Sequence, residues 1–138
     1  MAALTRAQAQ LFEDPNIGVL GTLRRDGTTH LTPVWVSLDG DVIVVNTSTD
    51  RLKYRHLQRD PRVSIVVIDS NDSTRYVSVT GTAELTQEGA TDHMYALGKK
   101  YVREPEQLEA YNEVVRATGD IRALIRVTPT QVTHWNVD

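Results

Sequence analysis

Residues 17–69 read IGVLGTLRRDGTTHLTPVWVSLDGDVIVVNTSTDRLKYRHLQRDPRVSIVVID, and this stretch decides the fold. Residues 17–24 (IGVLGTLR) carry a β-rich pattern and are expected as a strand. Arg25-Asp26-Gly27-Thr28 follows as a hairpin turn, because glycine reaches positive φ without steric cost. Residues 29–37 (THLTPVWVS) make the return strand. Pro33 has no N–H for a ladder, so it marks an edge, a bulge or an opening in the sheet. Asp39-Gly40 is a second hairpin turn, and residues 41–47 (DVIVVNT) follow it. Val42 to Val45 is a continuous apolar run. A strand buried on both faces has that pattern, as in a barrel wall that also faces a helix or a second subunit.

Outward from this stretch, residues 49–60 (TDRLKYRHLQRD) read as a helix stopped by Pro61, and residues 62–69 (RVSIVVID) as a strand. Asn71-Asp72-Ser73 is a turn. In residues 75–85, Val77, Val79, Gly81, Ala83 and Leu85 share one face of a strand. Residues 87–101 place Ala90, Met94, Leu97 and Tyr101 on one helical stripe. Pro105 and Gly119 bracket a second helix. Residues 121–136 form a last long strand, interrupted near Pro129. At the other end, Thr5 caps a short helix over residues 6–13, which Pro15 ends. Short strands punctuated by turns and in need of closure favour a small barrel, with a sandwich as the alternative. The expected fold is mainly β with α, in one domain spanning residues 1–138.

Composition narrows the function. The chain has 138 residues, of which 40% are apolar and 24% charged, an ordinary globular balance. A net charge of −3 does not suggest a nucleic-acid binder. With no cysteine, disulfides, thiolate metal sites and thiol catalysis are excluded. The start MAALTRAQAQLFEDP lacks the basic and apolar regions of a signal peptide, and no apolar run approaches a membrane span. The expectation is a cytoplasmic protein with no membrane or nucleic-acid partner. The histidines show no metal-ligand spacing, and G-x-S-x-G, Walker and G-x-G-x-x-G motifs are missing. No metal site, hydrolase triad or dinucleotide fingerprint is therefore expected.

One constellation carries chemistry. Between Asp50 and Arg62 lie Arg51, Lys53, Arg55, Arg59 and Arg62 against Asp50 and Asp60, a local excess of three positive charges in a net-negative chain. Just upstream, Asn46-Thr47-Ser48-Thr49 supplies small polar side chains. A strand, polar turn and helix in that order aim free backbone N–H groups and a positive dipole end at one point. A phosphate fits there, with Arg51 and Lys53 closing on it. A solvated face of an exposed helix is the alternative for the charge run alone. In the return strand, Pro33 leaves neighbouring backbone groups free to meet a polar heterocycle, and Trp35 offers a flat face. Trp35 as core and His30 as a surface residue is the competing assignment.

The ordered set G-T-L-x-x-D-G (21–27), P-V-W (33–35) and N-T-x-x-x-R-x-K-x-R-x-L-x-x-D-P-R-V (46–63) resembles the pyridoxamine-phosphate-oxidase-like split β-barrel superfamily. Within it, the chain is most similar to the deazaflavin (coenzyme F420) dependent oxidoreductases common in actinobacteria. The likeness is close over residues 17–85 and loose elsewhere. It implies an antiparallel, FMN-binding-type split β-barrel with peripheral helices, and a homodimer with a cofactor at the subunit interface. By the resemblance, Asn46, Thr47, Arg51, Leu52 and Lys53 hold the cofactor phosphate. His30, Thr32, Pro33, Val34 and Trp35 line the ring, and Tyr76 lies beside it. The segment around Trp135 reaches towards the partner's site. The short R-x-K-x-R form, and the lack of the oxidases' C-terminal substrate motif in VTPTQVTHWNVD, point to F420 rather than FMN.

The implied activity is a reductase passing a hydride from reduced F420 to an electron-poor small molecule of the enone, quinone or tetrapyrrole type. FMN-dependent oxidoreduction on the same barrel is one alternative, and a non-catalytic cofactor carrier is another. His30 and Tyr76 are the nearby proton donors, and neither is singled out as a catalytic acid.

Overall fold

The structure, a computed structural model, describes residues 2–138. Helix α1 (Arg6–Glu13) begins where a sequence signal places it: Gln8 N donates to Thr5 Oγ1 at 3.2 Å, and Thr5 N donates back to Gln8 Oε1 at 3.0 Å. Strands β1 (Gly18–Leu23), β2 (Thr29–Val34), β3 (Val36–Asp39) and β4 (Val42–Ser48) follow, turning at Gly27 (φ 86°) and Gly40 (φ 61°). Then come α2 (Leu52–Arg59), β5 (Arg62–Ile68), β6 (Tyr76–Thr86), α3 (Ala90–Tyr101), α4 (Pro105–Ala117) and β7 (Arg122–Trp135).

The strands form one seven-stranded sheet in the order β2-β1-β5-β6-β7-β4-β3, antiparallel at every pairing. Its two edges, β2 and β3, are consecutive in the chain, with only Trp35 between them. The sheet therefore curls round and opens at Trp35, as a split barrel. The single return strand expected over 29–37 is broken here for a physical reason. The first β1 residue, Gly18, pairs with Val34, so β1 offers no ladder beyond it, and Val36 instead pairs with Val45 of β4. Pro33 sits on the edge strand, where its missing N–H is tolerated.

Strand β7 runs through Pro129 without the expected break. A register shift opposite Thr80 and Gly81 absorbs it, so that Gln131 faces Thr80 and Pro129 faces Gly81. Two helix starts also move inward from the expected positions. Ser48 to Arg51 forms a turn (Arg51 N to Ser48 O, 3.1 Å), which delays α2 to Leu52. Gly89 takes φ 76° and delays α3 to Ala90.

The inward rows of the sheet close on Phe12, Leu20, Ile43, Ile65 and Ile125, all fully buried. The continuous apolar run of β4 is explained by cover on both sides. Ile43 and Val45 enter this core, while Val44 packs with Ala90 and Leu124 under α3. Each such side chain contributes about 1.5–3 kcal/mol by leaving water. The result fixes α3 over β4, beside the start of α2. No helix among the described residues is long and apolar enough to cross a membrane.

Candidate functional site

Where α3 and α4 lean over the β4 end of the sheet, a cavity of about 330 Å³ opens. Its apolar wall comes from Ile17, Val34, Met94 and Leu97. Trp35 and Tyr111 supply aromatic surface, Pro33 the edge strand, and Asn46, Lys53 and Arg122 the polar end. Among the described residues, no carboxylate lines it. Burial, with the charges of Arg51 and Arg122 close by, pulls the Lys53 ammonium below its usual pKa. The two lining cations are thus crowded and partly desolvated, an arrangement that favours an anion.

The polar end rests on a side-chain network. Asn46 Nδ2 donates to Ala90 O at 2.7 Å and to His93 Nδ1 at 3.0 Å. Asn46 Oδ1 accepts from Arg122 Nε at 3.0 Å and Arg122 Nη2 at 2.8 Å. Arg122 Nη1 pairs with Asp120 Oδ2 at 2.9 Å, and His93 Nε2 lies 2.8 Å from Ser37 Oγ. Burial, and then the charges of Lys100 and Arg126, push the His93 imidazole down to about 4, so it is neutral at physiological pH.

Of the residues expected at the site, Pro33, Val34, Trp35, Asn46 and Lys53 meet around this cavity. Trp35 is held by its neighbours: its indole stacks on Tyr101 at 4.9 Å and 5°, with Tyr111 tilted against it at 5.5 Å. Tyr101 in turn donates its hydroxyl to Asn16 O at 2.7 Å and accepts from Val36 N at 3.1 Å, so it packs and positions. Thr32, one residue before Pro33, has a buried hydroxyl with no partner among the described residues.

The other expected residues lie around the cavity or away from it. Thr47 is buried in β4 opposite Ala123. Arg51 is the exposed N-cap of α2, with no side-chain cap bond, and Leu52 after it is 54% exposed. His30 does not line the cavity; it lies edge-on to the His56 ring at 5.4 Å and 3.2 Å from Arg24 Nη2. His56 is buried and bonded to Thr22 Oγ1 at 2.9 Å. Tyr76 pairs with Trp135 on the outer face of the sheet, apart from the cavity.

Sequence reasoning missed Arg122 and His93. A faint signal existed for each: Arg122 is a cation opening an apolar strand (ALI follows), and His93 interrupts the apolar stripe of Ala90, Met94 and Leu97. Neither position is informative until β7 is laid on β4 and α3 on both.

The sequence model of the pyridoxamine 5'-phosphate oxidase family matches residues 4–136. Among solved structures, an F420 reductase is 29% identical with a TM-score of 0.76, covering 94% of this chain and 98% of that one. A conserved hypothetical protein from Mycobacterium tuberculosis is 25% identical with a TM-score of 0.72, over 96% of this chain and 85% of that one. General stress protein 26 from Bacillus anthracis, 18% identical with a TM-score of 0.68 over 96% and 93%, shares the fold.

Proposed function

The chain belongs to the pyridoxamine 5'-phosphate oxidase family, an oxidoreductase family, and on that premise we propose that it is a reductase using the deazaflavin coenzyme F420. One observation carries this: Lys53 and Arg122 converge at one end of a cavity walled by Val34, Trp35, Leu97 and Tyr111, and no carboxylate is among the described lining residues. That donor set suits a flat, partly apolar ligand that bears an anionic group. The relative at 29% identity, an F420 reductase matched over 94% of this chain, favours deazaflavin over FMN.

In this proposal Arg51 and Lys53 hold the phosphate at the start of α2, where the first backbone N–H groups of the helix point outward. Pro33, Val34 and Trp35 line the ring, and Ile17, Met94 and Leu97 keep water from it. When bound, reduced deazaflavin supplies a hydride to an electron-poor double bond or conjugated ring of a small molecule.

The cavity stands at the low end of the range for small-ligand sites, about 300–1,000 Å³, and the remaining wall is proposed to come from a second copy. The outer face of the sheet supports this. The rows Leu31-Gly21-Ser64-Thr80-Gln131 and Pro33-Val19-Val66-Ser78-Thr133 carry no charge. Leu31, which ends the first row, and Trp135 beyond the second are 64% and 59% exposed. A two-fold contact sets the same patch against itself, and an uncharged patch then opposes no like charges.

The test is titration with F420 and with FMN in turn, followed by absorbance. Binding of F420, with reduction of an enone, quinone or tetrapyrrole, is expected. Tight binding of FMN alone would overturn the cofactor assignment, and F420 binding without any turnover would make the protein a carrier. Arg51→Ala with Lys53→Ala should weaken F420 binding by about tenfold or more, since two charge-assisted contacts are lost.

A further inference from the structure

We propose that Arg122 is a third cationic contact for the anionic group held at Lys53, and that His93 and Asn46 act through it as positioning residues. This rests on the phosphate-bearing cofactor proposed above.

The hydrogen-bond inventory carries the argument. The Asn46 amide nitrogen has two N–H groups, and both are used, on Ala90 O and His93 Nδ1. Two acceptors on that side leave the amide one orientation, so Oδ1 must face Arg122, where it takes Nε and Nη2. His93 Nδ1 is an acceptor, so its proton sits on Nε2, against Ser37 Oγ at 2.8 Å. The chain Ser37, His93, Asn46, Arg122 therefore has one consistent set of donors and acceptors.

Arg122 has five N–H groups, of which Asn46 takes two and Asp120 one. One N–H on each terminal nitrogen is left, and the residue lines the cavity beside Lys53. Two remaining donors on adjacent nitrogens suit an oxyanion. The chemistry of residue 46 matters here. Asp120 already pairs with Nη1, and a neutral amide at residue 46 holds the guanidinium without setting a second carboxylate against it.

The relay works only with His93 neutral. The charged groups around the ring are Lys100 on its own helix, Arg126 and Arg122 on β7, and Asp39 at the end of β3, which pairs with Arg126. A proton on Nδ1 would turn the Asn46 amide, setting its NH2 against the Arg122 donors and its oxygen against Ala90 O.

Two measurements test this. In ¹⁵N NMR of the chain without cofactor, the Arg122 Nε–H signal should be slow to exchange and should shift when inorganic phosphate is added. His93→Phe should broaden that signal with the backbone spectrum kept, and His93→Asn, whose Oδ1 can stand for Nδ1, should restore it. In F420 titrations, Arg122→Gln should weaken binding by about tenfold or more. His93→Phe should cost several-fold in the natural background and nothing further in the Arg122→Gln background.

No phosphate shift at Arg122, or additive losses in the double variant, would overturn the proposal. If the Arg51 and Lys53 variants weaken F420 binding while Arg122→Gln does not, this proposal fails and the cofactor assignment stands. If no cofactor binds, the phosphate shift and its loss in His93→Phe still decide the role of Arg122.

Discussion

Gly98 of α3 lies under the ring of Tyr111 of α4 with no room for a methyl group: a Cβ built on Gly98 would overlap both Cδ1 and Cε1 of the tyrosine. The Tyr111 hydroxyl then reaches Met94 O at 2.8 Å. This contact sets how closely α4 rides on α3, and Tyr111, Met94 and Leu97 are all walls of the cavity. The packing of two helices is in this way coupled to the shape of the site.

Gly98→Ala should therefore destabilise the protein even though alanine favours a helix by about 1 kcal/mol over glycine. Overpacking of this kind costs about 1–3 kcal/mol, and relief would push Tyr111 away from the cavity. A melting temperature at or above that of the natural chain, with cofactor affinity unchanged, would show that Tyr111 does not set the wall.

His56 and His93 make stability depend on pH. Burial, then neighbouring positive charges, lowers both pKa values below 6.5, in His93 to about 4. Between the folded and unfolded values the unfolded chain binds more protons, so stability falls as pH drops through that window. Urea unfolding should show a declining free energy from about pH 6.5 down to 4, the range set by these two histidines. His93→Asn should flatten much of that slope, and a profile identical to the natural chain's would count against a neutral, buried His93.

Thr32→Val separates stability from binding. The hydroxyl is buried without a partner, and such a group costs about 1–3 kcal/mol. Its isosteric removal should leave the cofactor-free chain as stable or more stable in thermal melts. If Thr32 contacts the cofactor, affinity should fall about fivefold, the equivalent of one ordinary hydrogen bond. Weaker folding without cofactor would contradict the unpartnered hydroxyl.

Leu31→Asp places a charge on the uncharged outer face, at a side chain 64% exposed in the single chain. The fold should persist by circular dichroism, because nothing in the core is touched. Light scattering should report a shift from dimer to monomer, since an unpaired buried charge costs several kcal/mol at an interface. A monomer before substitution, or an unaltered dimer after it, would remove this face from the proposed assembly.

Much of this was legible along the chain. The glycine turns at Gly27 and Gly40, the cap at Thr5, the stop at Pro61 and the doubly buried run of β4 follow from local rules, because backbone geometry and burial pattern are properties of neighbouring residues. The grouping of Pro33, Val34, Trp35, Asn46 and Lys53 was visible because those residues lie within 21 positions of one another, on consecutive elements from β2 to the start of α2 joined by short turns. The break at Trp35 was not, since it depends on where β1 ends and β4 begins to pair. Arg122 was equally hidden: 76 residues separate it from Asn46. Sequence by itself determined the glycine turns, the basic start of α2 and most of the strands, though not the break at Trp35 or the passage of β7 through Pro129. Only the tertiary structure decided which cations stand in the cavity and which way the Asn46 amide points. Donor and acceptor directions between distant segments exist only once β7 pairs with β4 and α3 closes over both.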